Sequence, residues 1–379
     1  MTMAYETGTF VGRAWRPDVG GPSLVTVRNG ELIDITSSAV PTMRDLLDLD
    51  DPAAHVRSAP GEALDSLADV MAVAERAPGE VRLLAPSDLQ AVKACGVTFA
   101  RSMIERVIEE RAAGDAGRAK AIRQRMMAII GDSLWSLKAG SAEAARVKVA
   151  LIEEGAWSQY LEVGIGPDAE VFTKAQPLSA VGWGAAVGLH PISRWNNPEP
   201  EIVLAVSADG RVTGATLGND VNLRDVEGRS ALLLGKAKDN NASCAIGPFI
   251  RLFDETYSID EVRKADLDLL IEGPDGFRLE GSSTMREISR DPLDLVAQTI
   301  GPHHQYPDGL MLFMGTLFAP VEDRGEPGQG FTHKIGDVVT ISSPALGSLV
   351  NTVRLSTDCP PWTFGTAALM RNLAKRGLL

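Results

Sequence analysis

The chain has 379 residues, of which 44% are hydrophobic and 23% are charged, so it can bury a large core, and two domains are a reasonable expectation. Its formal net charge of −13 at pH 7 argues against non-specific binding to nucleic acid. Three isolated cysteines exclude a disulfide framework, no signal peptide is evident, and no apolar run reaches the ~20 residues that span a bilayer. We therefore expect a cytoplasmic protein without a nucleic-acid or membrane partner.

The first residues, 1–90, are predicted to form a small N-terminal α+β domain. Strand candidates at 23–27 and 32–35 lie on either side of Asn29-Gly30, a dipeptide typical of two-residue hairpin turns. A stretch rich in Ala, Asp and Pro follows from 41 to 60. The local composition of the sequence changes near residue 90, where we place the domain boundary.

The second domain, 91–379, is predicted to be rich in strands after one long helix. The capping-box pattern from Ser102 to Glu105 predicts a helix that runs to about residue 130. Further local signals are a turn at Pro274-Asp-Gly276, a helix start at Ser258-Ile-Asp-Glu261 and a terminal helix over 366–377. Together these elements indicate a strand-rich α+β fold rather than the alternating βαβ order of a doubly wound sheet.

An acidic hairpin in this domain points to a metal site. Asp209-Gly210 is a turn signal between two apolar, β-branched runs, and with that turn Glu199 would lie opposite Asp220. Alternation along a strand places Glu199 and Glu201 on one face, and directly opposed side chains have Cβ atoms about 4.5–5.5 Å apart. Three carboxylates this close repel one another unless a cation lies among them. An exposed acidic end of a strand would give the same pattern.

The ligand chemistry of the hairpin suits a hard divalent cation. Mg²⁺, Mn²⁺ and Ca²⁺ prefer oxygen ligands, whereas zinc prefers nitrogen and sulfur. Three protein ligands leave coordination positions for water or for substrate oxygens. The prediction depends on register, because a slip of one residue moves Asp220 to the other face. Pro198 and Pro200 indicate the start of a strand or a sheet edge, since neither can donate to a ladder.

Several motifs together resemble, in order and spacing, the core of the fumarylacetoacetate hydrolase superfamily. They are Phe172-Thr-Lys174, Pro198-Glu-Pro-Glu-Ile-Val203, Gly218-Asn-Asp-Val-Asn-Leu-Arg-Asp225, Lys238, Ile246-Gly-Pro248 and the segment 329–337. The resemblance covers roughly residues 90–360. Within the superfamily the chain is most similar to the branch that dehydrates 2-keto-3-deoxy-D-pentonates, as the stretches 94–102, 195–201 and 237–248 indicate.

The resemblance implies a mixed β-roll with a smaller N-terminal domain, and it assigns roles to residues. Glu199, Glu201 and Asp220 would hold Mg²⁺, with Mn²⁺ as an alternative, and Lys238 would lie beside the metal. The residues assigned to substrate binding are Arg101, Lys174 and Arg224, of which Arg224 would also brace the Asp220 loop. Members of the superfamily are commonly oligomeric, so a homodimer or homotetramer is expected by analogy.

Ser102 departs from the pattern of many hydrolytic members of the superfamily. At this place those members carry the histidine of a His–Glu pair that activates water. Without that base, dehydration is favoured over hydrolytic C–C cleavage. The expected activity is therefore that of a lyase, the Mg²⁺-dependent dehydration of a 2-keto-3-deoxy-D-pentonate to 2-oxoglutarate semialdehyde in oxidative pentose (xylose or arabinose) catabolism.

The group that transfers protons stays open at the level of sequence. Lys238 is the first candidate, because a nearby dication would depress its pKa. Ser102 and Glu105 are further candidates, as are Glu109 and Glu162. Three other functions are kept as alternatives. They are an acylpyruvate-type C–C hydrolase or 2-keto acid decarboxylase with the same metal site, a metal-free dehydratase that uses Lys238 as a Schiff-base nucleophile, and a non-catalytic protein that binds 2-keto acids.

Overall fold

A computed structural model describes residues 5, 7–77, 79–99, 137–153, 155, 157–317, 320, 322–324 and 330–379, together with isolated positions between 103 and 124. The helix predicted to run from Ser102 to about residue 130 lies largely outside the described residues. Arg101, Ser102, Glu105 and Glu109 lie outside them as well.

Strands dominate the described part of the chain, where sixteen of them form two sheets. They are β1 (Phe10–Arg16), β2 (Gly21–Arg28), β3 (Glu31–Asp34), β4 (Glu62–Ser66), β5 (Arg82–Leu84), β6 (Ala91–Gly96), β7 (Glu170–Ala175), β8 (Ala186–Leu189), β9 (Pro200–Val206), β10 (Val212–Asp220), β11 (Cys244–Leu252), β12 (Asp266–Glu272), β13 (Arg278–Thr284), β14 (Leu310–Phe313), β15 (Val338–Ser343) and β16 (Gly347–Leu355). The large sheet has the order β4-β3-β2-β1-β11-β10-β9-β14-β6-β7, with β5 also paired to β1, and the small sheet has the order β13-β12-β15-β16-β8. Most neighbours are antiparallel, but β14 with β6 and β16 with β8 are parallel, so both sheets are mixed.

The helices of the described residues are short. They are α1 (Met43–Leu47), α2 (Pro52–Ser58), α3 (Leu67–Val70), α4 (Ala142–Glu153), α5 (Gln159–Ile165), α6 (Arg224–Glu227), α7 (Leu234–Lys238), α8 (Ile259–Val262), α9 (Pro292–Thr299) and α10 (Thr366–Lys375). Within the described ranges, none of them has the length and apolarity that crossing a membrane requires.

The central strand β9 is buried on both of its faces. On one face the two sheets pack together, and the residues that meet there include Leu204, Leu217, Leu269, Ile341 and Leu349. On the other face Val203 and Ala205 belong to a second apolar cluster, which contains Leu46 of α1 and Val56 of α2. Strand alternation places Glu201 on the same face as Val203 and Ala205. The acidic end of β9 therefore continues the face that packs with α1 and α2.

Several local predictions are confirmed by the backbone. Arg28 pairs with Glu31 around a two-residue turn, in which Asn29 and Gly30 have positive φ. Ser258 and Glu261 form both hydrogen bonds of a capping box at the start of α8. The terminal helix is present as α10, and Gly377 has a φ of +69° just after its end.

The large sheet runs across the predicted domain boundary near residue 90. Phe10 and Val11 of β1 pair with Arg251 and Ile250 of β11, so strands of the first 90 residues extend the sheet of the second segment. The division into 1–90 and 91–379 stays a prediction.

Candidate metal centre

The hairpin of β9 and β10 places three carboxylates together. Gly218 pairs with Glu201 and Asn219 with Pro200, and the Asp220 N–H donates to the Glu199 carbonyl over 3.1 Å. The predicted pairing of Glu199 with Asp220 is confirmed. Pro200 is the first residue of β9, which lies between β10 and β14, so it marks the start of a central strand rather than a sheet edge.

The turn of this hairpin differs from the two-residue turn that was predicted. Val206 pairs with Val212, and the Ser207 N–H donates to the Arg211 carbonyl, so three residues rather than two form the tip. A register shift between Val212 and Gly214 then restores the predicted pairing along the rest of the strands. A bulge inserts one extra residue, which offsets the extra residue in the turn. The prediction of the turn was wrong by one residue, whereas the register at the acidic end was right.

The three carboxylates form a compact buried cluster, which we call the acidic cluster: Glu199, Glu201 and Asp220. One oxygen from each side chain lies within 4.8 Å of the others, and each residue is at most 2% exposed. Burial, together with the charges of Asp220 and Glu199, raises the pKa of Glu201 well above its ordinary value. The raised pKa means that full ionisation of all three groups is costly without a further cation.

Glu201 is held by a backbone segment that the sequence did not single out. The Gly315 N–H donates to Glu201 Oε2 over 2.7 Å. Gly315 has a φ of +95°, and a Cβ there would lie 2.0 Å from Thr98 Oγ1. Only glycine meets both conditions. A conspicuous glycine after the apolar run of β14 is the signal that could have identified it.

Two buried lysines, one from a helix and one from a strand, contact the acidic cluster. Lys238, the last residue of α7, places Nζ 2.6 Å from Glu199 Oε2 and 3.0 Å from Asp220 Oδ2. Lys174 of β7 places Nζ 2.8 Å from Asp220 Oδ1, and it also donates to the Lys238 carbonyl over 2.5 Å. Both side chains are at most 2% exposed. The structure thus brings both predicted lysines to the predicted carboxylates, with Lys174 in direct contact with Asp220.

Arg224 lies at the start of α6, four residues after Asp220. Its Nε donates to Asn197 Oδ1 over 2.7 Å, and its guanidinium lies 5.4 Å from the ring centroid of Trp195. Asn197 and Asn222 also exchange backbone hydrogen bonds. Arg224 therefore ties the segment before Glu199 to the segment after Asp220, as the predicted bracing role requires. Its assignment to substrate binding stays a prediction.

Two further carboxylates were missed at the level of sequence. Alternation along β7 puts Glu170 on the same face as Phe172, whose ring centroid lies 5.8 Å from Lys238 Nζ. Glu227 of α6 is 5% exposed, and its Oε2 lies 4.0 Å from Lys238 Nζ. The alternation of residues along β7 could have identified Glu170. The spacing of one helical turn from Arg224 could have identified Glu227.

The remaining sequence candidates are Arg101, Ser102, Glu105, Glu109 and Glu162. Arg101, Ser102, Glu105 and Glu109 lie outside the described residues. Glu162 of α5 forms an ion pair with Lys148 on the adjacent helix α4, so its carboxylate is engaged by a partly exposed lysine. Their roles in substrate binding and proton transfer stay predictions.

Residues 166–354 match the family described as fumarylacetoacetate (FAA) hydrolase C-terminal. The chain carries an FAA hydrolase C-terminal domain. The acidic cluster, Lys174 and Lys238 all lie inside this domain.

Two curated relatives match about half of the chain. A 2-dehydro-3-deoxy-D-arabinonate dehydratase from Saccharolobus solfataricus is 32% identical over 188 residues, which are 49% of this chain and 58% of the relative. A probable 2-keto-3-deoxyxylonate dehydratase from Haloferax volcanii is 29% identical over 194 residues, which are 51% of this chain and 63% of the relative. The matched region thus spans about six tenths of the length of each relative.

The fold is shared with a solved dehydratase structure. A 2-keto-3-deoxy-D-arabinonate dehydratase complexed with magnesium and 2,5-dioxopentanoate superposes with a TM-score of 0.63 at 19% identity. The superposition covers 91% of this chain and 99% of the other. The predicted strand-rich α+β fold of the FAA hydrolase type is therefore confirmed.

Proposed function

We propose that the protein is a metal-dependent dehydratase of 2-keto-3-deoxy-D-pentonates, a lyase that forms 2-oxoglutarate semialdehyde, which is 2,5-dioxopentanoate. The observation that carries the proposal is the buried acidic cluster with its two lysines. The names of the two relatives and of the magnesium complex support the choice of substrate class. A place in oxidative pentose catabolism follows from that substrate class.

The donor set fits Mg²⁺, with Mn²⁺ as the second choice. Three carboxylates against two ammonium groups leave excess negative charge in a site that is almost fully buried, and the nearby Glu227 adds to it. Burial, with the charges of Asp220 and Glu199, raises the pKa of Glu201 accordingly. A dication held by Glu199, Glu201 and Asp220 would offset this charge.

A bound dication would supply Lewis-acid stabilisation of the negative charge that develops on the C2 oxygen when a proton leaves C3. The chain itself contributes orientation and proton transfer. Lys174 pairs with one oxygen of Asp220, Lys238 with one oxygen of Glu199, and the Gly315 N–H donates to one oxygen of Glu201. All three carboxylates are therefore oriented before any ligand enters.

Lys238 is our candidate for moving a proton to the departing C4 hydroxyl. Its Nζ lies 2.6 Å from Glu199 Oε2 and 3.0 Å from Asp220 Oδ2, so it can reach a substrate held at the acidic cluster. The alternative in which Lys238 makes a Schiff base predicts a covalent adduct that borohydride traps and a rate that a chelator leaves unchanged. Glu170, on the same face of β7 as Phe172, is our candidate for removing the C3 proton. Ser102 and Glu105 remain further candidates.

The test is formation of the semialdehyde from 2-keto-3-deoxy-D-xylonate and 2-keto-3-deoxy-D-arabinonate with added Mg²⁺. Glu199→Gln should lower the rate by at least about 100-fold. Substitution of residues that only hydrogen-bond to metal ligands already lowers metal affinity or activity about 10- to 100-fold, and Glu199 would be a ligand itself. Glu280→Gln is the matched control, since Glu280 is an exposed strand glutamate of the small sheet, and its rate should be unchanged. Cleavage of an acylpyruvate without turnover of either pentonate would instead establish a C–C hydrolase. Retention of a 2-keto acid without turnover would establish a binding protein.

A further inference from the structure

We propose that the protein has a second ligand site, a cavity separate from the acidic cluster that takes a small anion with a planar, largely apolar body. The cavity has a volume of about 640 Å³, which lies within the range of small-molecule sites, about 300–1,000 Å³. None of the residues of the acidic cluster lines it, and neither do Lys174 and Lys238. The proposal goes beyond the proposed reaction and does not depend on it.

Aromatic rings form much of the wall of this cavity. Trp15 packs edge-to-face on Phe364, with ring centroids 5.2 Å apart, and Trp183 and Trp362 also line the space. Trp362 is 46% exposed, so one ring of the wall remains open to solvent. Rings arranged in this way provide flat apolar surfaces for a planar ligand.

The charged side chains of the wall are mostly arginines. Arg82 lies over the Trp15 ring, with its guanidinium carbon 5.1 Å from the ring centroid. Arg13, Arg76 and Arg354 also line the space, where they form ion pairs with Asp88, Asp65 and Glu75. Guanidinium groups bind carboxylates and phosphates through paired hydrogen bonds, which favours an anionic ligand.

A buried donor in the wall lacks a protein acceptor. Trp183 is 8% exposed, and its Nε1 has no hydrogen-bond partner among the described atoms. Buried polar groups are usually satisfied, so an unsatisfied indole N–H in a cavity wall suits a ligand that carries an acceptor.

The backbone around the cavity is strained. Glu75, Leu178 and Ala242 have φ values of 56°, 67° and 59°. These lie in the left-handed region of backbone conformation, which residues other than glycine rarely adopt. These three make up half of the described non-glycine residues with positive φ, and all three line this one cavity. Strained residues cluster at ligand sites because surrounding structure must hold them there.

The Asn241 side chain holds the outer wall of the cavity through two hydrogen bonds. Asn241 Nδ2 donates to the carbonyls of Ser356 and Pro360, over 3.0 and 3.2 Å, and so fixes the segment that carries Trp362 and Phe364. The cavity is therefore bounded by fixed segments from distant parts of the chain.

The test is calorimetric titration of the full chain with naphthoate and with adenosine monophosphate, and naphthalenemethanol serves as the neutral control. One of the two anions should bind saturably, and the neutral control at least about tenfold more weakly, because hydrogen bonds to a charged group contribute about 1.5–3 kcal/mol. Binding of naphthoate alone would identify aryl carboxylates as the ligand class, and binding of adenosine monophosphate would identify nucleoside phosphates.

Substitutions of lining residues test whether the anion binds in the cavity. Arg82→Met, Trp183→Phe and Trp362→Ala should each weaken binding at least about tenfold, and the exposed Trp362 can change without threatening the fold. Arg278→Met, an exposed arginine of the small sheet, and Glu199→Gln should leave it unchanged. The proposal fails if neither anion binds or if only Glu199→Gln abolishes binding. It also fails if Trp362→Ala dissociates an oligomer, since a second copy of the chain would then cover the cavity.

Discussion

Two ionic networks in this protein, each with a buried centre, are built from similar groups but differ in charge balance. In the first, which we call the closed network, Arg324 pairs with Asp337 over 2.7 Å and with Asp275 over 3.0 Å. Lys334 also contacts Asp275, and His333 Nδ1 lies 3.0 Å from Asp337 Oδ2. Two cations face two carboxylates there. The second network is the acidic cluster with its two lysines, where three carboxylates face two cations.

The pKa values of the carboxylates show what the difference means. Burial alone would raise the pKa of Asp337, but hydrogen bonds from His333 and Arg324 hold it below its ordinary value. Burial also raises the pKa of Glu201, and there the neighbouring Asp220 and Glu199 raise it further. The closed network is balanced in charge, whereas the acidic cluster keeps an excess of negative charge. A site that binds a cation is expected where the fold leaves negative charge uncompensated.

Removing one charge from each network should have opposite effects on stability. Asp337→Asn should lower the free energy of unfolding by about 3–5 kcal/mol, because it leaves the buried Arg324 without its main partner. Glu201→Gln should leave the stability of the metal-free protein unchanged or raise it, because the amide resembles the neutral acid that burial favours. Urea unfolding of the metal-depleted variants measures both effects.

The pair of variants also provides its own control, since both replace a buried carboxylate by its amide. A loss of more than about 2 kcal/mol in Glu201→Gln, similar to that in Asp337→Asn, would show that the acidic cluster is balanced like the closed network. The charge argument for a cation site would then be lost.

A smaller effect concerns the pH dependence of stability. Burial lowers the pKa of His333, although Asp337 acts in the opposite direction. Below about pH 6.5 the unfolded chain therefore takes up a proton that the folded chain resists, so stability falls as pH falls. The raised pKa of Glu201 has the reverse sign, since the metal-free protein loses stability as pH rises above about 4.3.

Unfolding between about pH 5 and pH 7 separates the two contributions. His333→Gln should remove the loss toward acid, by up to about 1.4 kcal/mol per pH unit, and Glu201→Gln should remove the loss toward neutral pH. If His333→Gln leaves the pH slope unchanged, His333 is not held neutral by the fold.

The hairpin shows how far sequence reasoning reaches. Alternation along β9 and the turn signal at Asp209-Gly210 were enough to pair Glu199 with Asp220. The turn itself has a different length, and a bulge near Thr213 compensates for it. Local turn chemistry did not determine the tip, and the bulge restored the predicted register at the acidic end of the hairpin.

Contacts between distant segments were beyond the reach of the sequence. The Gly315 N–H that holds Glu201 comes from a segment more than a hundred residues away, and the contact of Lys174 with the Lys238 carbonyl joins β7 to α7. Such contacts depend on sheet order, which places β14 beside β9 and β6, and no local pattern encodes that order. Motif spacing located the lysines through the family resemblance, whereas Glu170 and Glu227 carried no motif and were missed.

The most direct test of the central claim, that the acidic cluster is completed by a dication, is calorimetric titration of the metal-depleted protein with Mg²⁺. We expect one Mg²⁺ per chain in the wild-type protein and no saturable binding in Glu201→Gln, with unchanged binding in Glu280→Gln. Absence of Mg²⁺ and Mn²⁺ binding in the wild-type protein, or equal binding in Glu201→Gln, would contradict the claim.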